Sequence, residues 1–123
     1  MINVESYREY CLSKPGVTES CPFGPDTLVF KVMDKMFALT SLVTFEFINL
    51  KCDPERAQEL RDQYEAIRPG YHMNKQHWNS VYVDGTLSDQ LIYELIDHSY
   101  ELIVDSLPKK LKIELEEIRN AQE

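Results

Sequence analysis

Arg68, His72, Asn74, Lys75, His77 and Trp78 crowd into one stretch, RPGYHMNKQHWNSVYVDG, running from Arg68 to Gly85. From Arg68 through Val83 there is no acidic residue, although the chain holds 21 Asp and Glu. The same window carries the only tryptophan of the chain, Trp78, together with Tyr71 and Tyr82. Cations meet phosphates and flat rings stack on bases, so an acid-free mixture of the two suits contact with a polyanion. In that reading Arg68, Lys75 and, when protonated, His72 and His77 touch successive phosphates, while Asn74 bonds a base edge or a sugar. The composition equally suits a structural hairpin. Asn74 and His77 then fix a turn through backbone groups, Arg68 and Lys75 are solvated, and Trp78 packs inward.

Other chemistries are less well supplied. His72 and His77 stand five residues apart in a loop, and Cys21 and Cys52 are distant from each other, without the close Cys or His pairs of a structural zinc site. The chain has four glycines and none of the GxSxG, HExxH, GxxxxGK[ST] or GxGxxG patterns. Cys21 with a neighbouring histidine can be drawn as a nucleophile and base, but three Cys and three His make that drawing cheap. Asp97 and Glu101, one helical turn apart, read as a solvated acidic stripe rather than an acid–base couple. The expectation is a non-enzymatic protein with no cofactor and no metal.

The loop must be positioned by the elements around it. Val4, Tyr7, Tyr10 and Cys11 recur at helical spacing, Asn3 is the candidate cap, and Lys14-Pro15-Gly16 stops the helix. Residues 17–26, with Pro22, Gly24 and Pro25, read as a loop. Alternation at Leu28, Phe30 and Val32 predicts a strand, Asp34-Lys35 a turn, and Met36–Ser41 its partner. A third strand spans Phe45–Lys51, with Phe45 and Phe47 facing opposite to Ile48 and Leu50. Short links make the three an antiparallel meander. Asp53 caps and Pro54 opens a helix whose stripe is Ala57, Leu60, Tyr64 and Ile67, ended by Pro69-Gly70. Trp78–Val83 reads as another strand, with a short one expected near Tyr71–Met73. Ser88 caps a helix reaching Leu107 that buries Leu91, Ile92, Leu95, Ile96, Leu102 and Ile103, with Ser99 at a close approach. Pro108 breaks it before a final amphipathic helix over Lys109–Asn120. The sum is a single α+β domain over residues 1–123, an antiparallel sheet with helices on one face, in the order α-β-β-β-α-β(β)-α-α.

Composition bounds the rest. A chain of 123 residues, 43% hydrophobic with five Phe and seven Tyr, supplies one real core. No run approaches the roughly 20 apolar residues of a membrane span, and the N-terminus lacks a secretory signal pattern. Three cysteines that cannot all pair point to a reducing compartment, so the expectation is a soluble, cytoplasmic protein with no membrane contact. The net charge of −8 opposes non-specific attraction to nucleic acid. Between Gln76 and Pro108 there is no Lys or Arg but six acids, so the helix over 88–107 presents an acidic face.

The string PGYHMNKQHWNSVYVDG, with LKCDPE and ELRDQY before it and LIYELIDHSYELIVDSLPKK after it, closely resembles the MmcQ/YjbR family of small bacterial proteins. CLSKPGVTES and FKVMDKMFALTS fit the same pattern. The resemblance implies a two-layer α/β domain similar to secretion-chaperone-like folds and a "double-wing" DNA-binding role, with no catalytic residue set. Two expectations follow. In the first, the Arg68–Trp78 loop contacts duplex DNA backbone, with the Asp34-Lys35 hairpin as a second wing. In the second, the acidic helix 88–107 or an exposed sheet edge presents to a protein partner, with no nucleic-acid role.

Overall fold

Short polar side chains set where the helices begin. The Asn3 side chain accepts from the Ser6 amide at 2.8 Å and the Ser6 hydroxyl accepts from the Asn3 amide at 3.0 Å, a reciprocal cap for α1 (Val4–Leu12). Asp53 caps α2 (Pro54–Gln63) through the Arg56 amide, and Ser88 caps α3 (Asp89–Ser106) through the Leu91 amide. A fourth helix, α4, spans Lys109–Gln122. The computed structural model describes residues 1–122; Glu123, the last residue of the expected domain, lies outside the described residues.

Six strands, β1 (Val17–Ser20), β2 (Thr27–Val32), β3 (Lys35–Ser41), β4 (Phe47–Lys51), β5 (Ile67–Pro69) and β6 (Trp78–Tyr82), form one antiparallel sheet. Their order is β1-β2-β3-β4-β6-β5. The α+β class and the meander hold, with corrections at the two sheet edges. Residues 17–20 are a strand rather than loop, because Val17–Ser20 pair with Val29–Val32 despite the neighbouring prolines and glycine. The stripe that includes Ile67 does not stay helical. Tyr64 turns extended (φ −125, ψ 123), α2 ends at Gln63, and Ile67 enters β5 opposite Val81. The short strand therefore lies at Ile67–Pro69, while Tyr71–Met73 is loop with His72 at φ 58. Phe45 stands outside β4 at φ 44 and packs its ring 5.6 Å from Tyr7, unlike Phe47.

All four helices contribute to one buried cluster on a single side of the sheet, from Tyr7 and Cys11 of α1 to Leu115 of α4. Phe30, Val32, Ile48, Leu50 and Val81 of the sheet meet Ile92, Leu95, Ile96 and Ile103 of α3 there. Leu91 and Leu102 are only half-buried, and Tyr100 takes up the space, edge-on to Phe37 at 5.6 Å with its hydroxyl on the Pro15 carbonyl. Ser99 is fully buried; its hydroxyl accepts from the Lys51 amide at 2.9 Å and donates to the Phe37 carbonyl at 2.6 Å. Phe37 and Lys51 stand one step beyond the last β3–β4 pair, Ala38 and Leu50, and Ser99 bridges the two backbone groups there. Among the described residues the opposite face of the sheet carries no helix.

Candidate nucleic-acid interface

The loop from Gly70 to His77 joins β5 to β6, and it is wound tightly. The Gly70 amide bonds the Trp78 carbonyl at 2.9 Å, and a Cβ on Gly70 would lie 2.8 Å from the Trp78 Cβ. Only glycine fits that approach. The Asn74 side chain accepts from the Gln76 and His77 amides at 2.9 and 3.2 Å, an Asx turn that consumes its acceptor. Lys75 curls back to donate from Nζ to the Gly70 carbonyl at 2.9 Å. His77 is half-buried, and its carbonyl accepts from the Cys52 amide at 2.8 Å.

Trp78 requires a correction as a contact residue. The indole is 9% exposed, so it offers no free face for stacking on a base. Its burial is separate from the main core: alternation along β6 puts it with Ser80 and Tyr82 on the helix-free face, opposite Lys51. His72 is exposed. Arg68 is exposed as well; its guanidinium lies 4.3 Å from the centre of the Tyr82 ring, and its Nε donates to the Glu65 carbonyl at 3.2 Å. Among the described residues no carboxylate comes within ion-pair distance of Arg68. Glu65 and Asp84 line a recess beside it, but Asp84 is held below the usual carboxylate range mainly by bonds from the Thr86 hydroxyl and amide. The loop candidates thus divide. Asn74 and Lys75 build the turn, Trp78 is packed, and Arg68 and His72 face outward.

Tyr71 was outside the candidate set, and the structure makes it central. Its amide donates to the Ser80 hydroxyl at 2.9 Å, its carbonyl accepts from Asn49 Nδ2 at 3.1 Å, and the Ser80 hydroxyl donates to Asn49 Oδ1. Asn49 and Ser80 face each other across β4 and β6 and are buried. Both backbone groups of Tyr71 are therefore pinned to the sheet while its ring remains 57% exposed. The ring meets Phe47 edge-on at 5.8 Å, Phe47 meets Tyr82 at 5.0 Å, and Arg68 covers Tyr82. The result is a line of rings across the open face, ended by a cation.

Beside that line runs a groove of about 410 Å³. Met36, Leu39 and Phe47 form its floor, Tyr71, His72 and Met73 one wall, and Phe23 from the β1–β2 loop the other. Phe23 is 67% exposed. The electrostatics of this face follow from strand composition. Glu19 is the only acid in any of the six strands, and it belongs to the helical side, where Arg8 of α1 binds it at 2.6 Å and holds its carboxyl below the usual range. Alternation puts Lys31, Lys51 and Arg68 on the open face, because each lies between or beside residues buried in the core. Among the described residues every acid other than Glu19 is thus carried by a helix or a loop. Strand parity, read for charge rather than for hydrophobicity, was the signal that would have found this surface.

The groups suited to nucleophilic or metal chemistry are engaged otherwise. Cys52 and His98 border a cavity of about 10 Å³ under α3, with the unpartnered Asn79 Oδ1 nearby. Burial pushes the Cys52 thiol up to about 11, and His98 Nε2 already accepts from the Asp53 amide at 3.2 Å. That geometry disfavours a thiolate and leaves no base to make one. Among the described residues no three His, Cys, Asp or Glu side chains converge as a metal site, and no helix is long and apolar enough to cross a membrane.

The YjbR family model matches residues 12–102 of this chain. YbdF of Escherichia coli O157:H7 is 44% identical over 107 residues, covering 86% of this chain and 88% of that protein. YjbR of Escherichia coli strain K12 is 38% identical over 118 residues, covering 93% of this chain and all of its own length (100%). The crystal structure of Deinococcus radiodurans protein DR2400, a DUF419 domain, superposes with a TM-score of 0.86 at 41% identity, covering 94% of this chain and 88% of that one.

Proposed function

This chain belongs to the YjbR family, and from that premise we propose that it is a non-enzymatic, cytoplasmic nucleic-acid-binding protein that works through the open face of its sheet. The carrying observation is the separation of charge: one acid among all strand residues, against Lys31, Lys51 and Arg68 on the helix-free face. A polyanion approaching that face meets cations and rings, and the carboxylates lie mostly behind the sheet. The loop 70–77 then serves as a wall of the surface rather than as its tip. Three unpaired thiols fit a reducing compartment.

Fluorescence anisotropy with a labelled DNA oligonucleotide at about 50 mM salt tests the reading. Binding is expected to weaken steeply with salt, and Lys31→Glu/Lys51→Glu/Arg68→Glu is expected to lower affinity at least about tenfold and flatten the salt slope by about two to three. No binding by the wild type, or binding untouched by the triple variant, refutes it.

A second reading has its own support in the exposed acids of α3, Asp89, Glu94, Glu101 and Asp105. These form a surface for a basic protein partner on the helical side. Asp97 is excluded from it, because Lys14 and the Tyr10 hydroxyl bind its carboxylate. Replacing the four acids by amides should abolish recovery of a partner in pull-down; unchanged recovery removes this reading.

A further inference from the structure

We infer that the polymer is taken up single-stranded, with an unpaired base seated in the groove between Phe23 and Tyr71. The inference rests on the nucleic-acid reading above and specifies its ligand. Three observations carry it.

The groove lies on the sheet face whose strand residues include cations and no acid, so phosphates held by Lys31, Lys51 or Arg68 bring the attached bases to its mouth. Its volume of about 410 Å³ falls in the range of roughly 300–1,000 Å³ typical of small-molecule sites, with an apolar floor of Met36, Leu39 and Phe47. A duplex hides its base faces in the stack and shows only edges and backbone, so it has nothing to insert. A single strand exposes those faces.

Tyr71 and Phe23 are large rings left in solvent, at 57% and 67% exposure, in a chain whose other aromatic residues are buried or half-buried. Tyr71 is also preorganised. Asn49 and Ser80 hold its amide and carbonyl, so its ring is presented with little ordering left to complete on binding. Met36 and Met73 line the same space with flexible thioethers that adapt to bases of different outline.

Several polar groups along the groove are already committed, which leaves the Thr27 hydroxyl, the His72 ring and the Tyr71 hydroxyl as its open polar groups. Asn49 serves Ser80 and Tyr71, the Thr40 hydroxyl donates to the Phe47 carbonyl at 2.8 Å, and the Ser41 hydroxyl accepts from the Val43 amide at 3.2 Å. The three open groups, two of them on the wall, are sparse for reading base edges. The site therefore selects flat unpaired bases over duplex and discriminates weakly among the four.

The test uses the full chain and three labelled probes: a deoxythymidine oligonucleotide, the same strand paired to its complement, and a single strand of equal length with abasic sites. The single strand is expected to bind at least about tenfold more tightly than duplex or abasic strand. Tyr71→Ala and Phe23→Ala, both at exposed side chains, should each weaken single-strand binding about fivefold or more and leave duplex binding unchanged. Equal affinity for single strand and duplex, with no effect of Tyr71→Ala while the triple charge variant weakens both, overturns the seated base and leaves the polyanion reading standing. Binding of none of the probes overturns both. Sedimentation of the free protein closes the remaining route: a dimer dispersed by Phe23→Asp makes the groove an interface between copies and also overturns the inference.

Discussion

Asn49→Ala and Ser80→Ala, alone and together, probe the junction on which the site depends. Asn49→Ala deletes the amide bond to the Tyr71 carbonyl and the acceptor of the Ser80 hydroxyl. Each of the two hydrogen bonds contributes about 1 kcal/mol net, and a buried hydroxyl without an acceptor adds about 1–3 kcal/mol, so the expected loss is about 3–5 kcal/mol. Ser80→Ala leaves Asn49 Oδ1 without its donor and frees the Tyr71 amide, a loss of similar size. Both substitutions remove the same Asn49–Ser80 bond, so the double variant should cost about 1–2 kcal/mol less than the sum of the singles. Losses of this size are a large part of the roughly 5–15 kcal/mol that stabilises a domain. Urea unfolding followed by circular dichroism measures them, with an unchanged dependence on denaturant showing that the compactness of both states is preserved. Faster exchange of the Tyr71 amide proton in Ser80→Ala would place the damage at the loop. Single losses below about 0.5 kcal/mol, or additivity within about 0.3 kcal/mol, would refute a network that pins Tyr71.

Gly70→Ala drives a methyl to 2.8 Å from the Trp78 Cβ and 2.9 Å from its carbonyl oxygen; it should destabilise by about 1–3 kcal/mol in the same urea assay, and a neutral result would contradict the close approach. His98 is kept neutral first by burial and then by the Arg56 charge, which lower its affinity for protons in the folded chain. Below pH 6.5 the unfolded chain therefore binds more protons than the folded one, so stability falls as pH drops through that region and is independent of this group above it. His98→Gln should flatten the slope of urea midpoint against pH between about pH 5 and 7, and identical slopes would rule out His98 as its source. The Tyr7 hydroxyl is fully buried against the Cys11 thiol, a weak hydrogen-bonding group; Tyr7→Phe should be neutral or stabilising by up to about 1–2 kcal/mol, and a clear loss in thermal unfolding would show that the thiol bonds the hydroxyl strongly.

Much of the architecture was legible because local signals agreed with the final packing. Asn3, Asp53 and Ser88 cap the helices they were expected to cap, and Pro108 separates α3 from α4. Leu28, Phe30 and Val32 share the core-facing side of β2 as their alternation predicted, although Val29 between them is also buried, and Ser99 marks a close helix–sheet approach. The edges were illegible for a shared reason. Val17–Ser20 and Ile67–Pro69 are too short to display a period and become strands only through partners distant in the chain. Of the residues singled out for chemistry, Arg68 and His72 face solvent, whereas Asn74, Lys75 and Trp78 are occupied in building the loop.

Residue order alone determined the charge inventory, the element types over most of the chain and the family to which it belongs, because these depend on composition, spacing and local backbone preference. Tertiary structure decided which side chains share a surface. Tyr71, Phe23 and Met36 are separated by many residues, and their grouping into one groove arises from strand pairing and from two loops rising on the same side. Lys31, Lys51 and Arg68 are likewise scattered along the chain and meet on one face because side chains alternate across a sheet and the acidic helices cover only the other side.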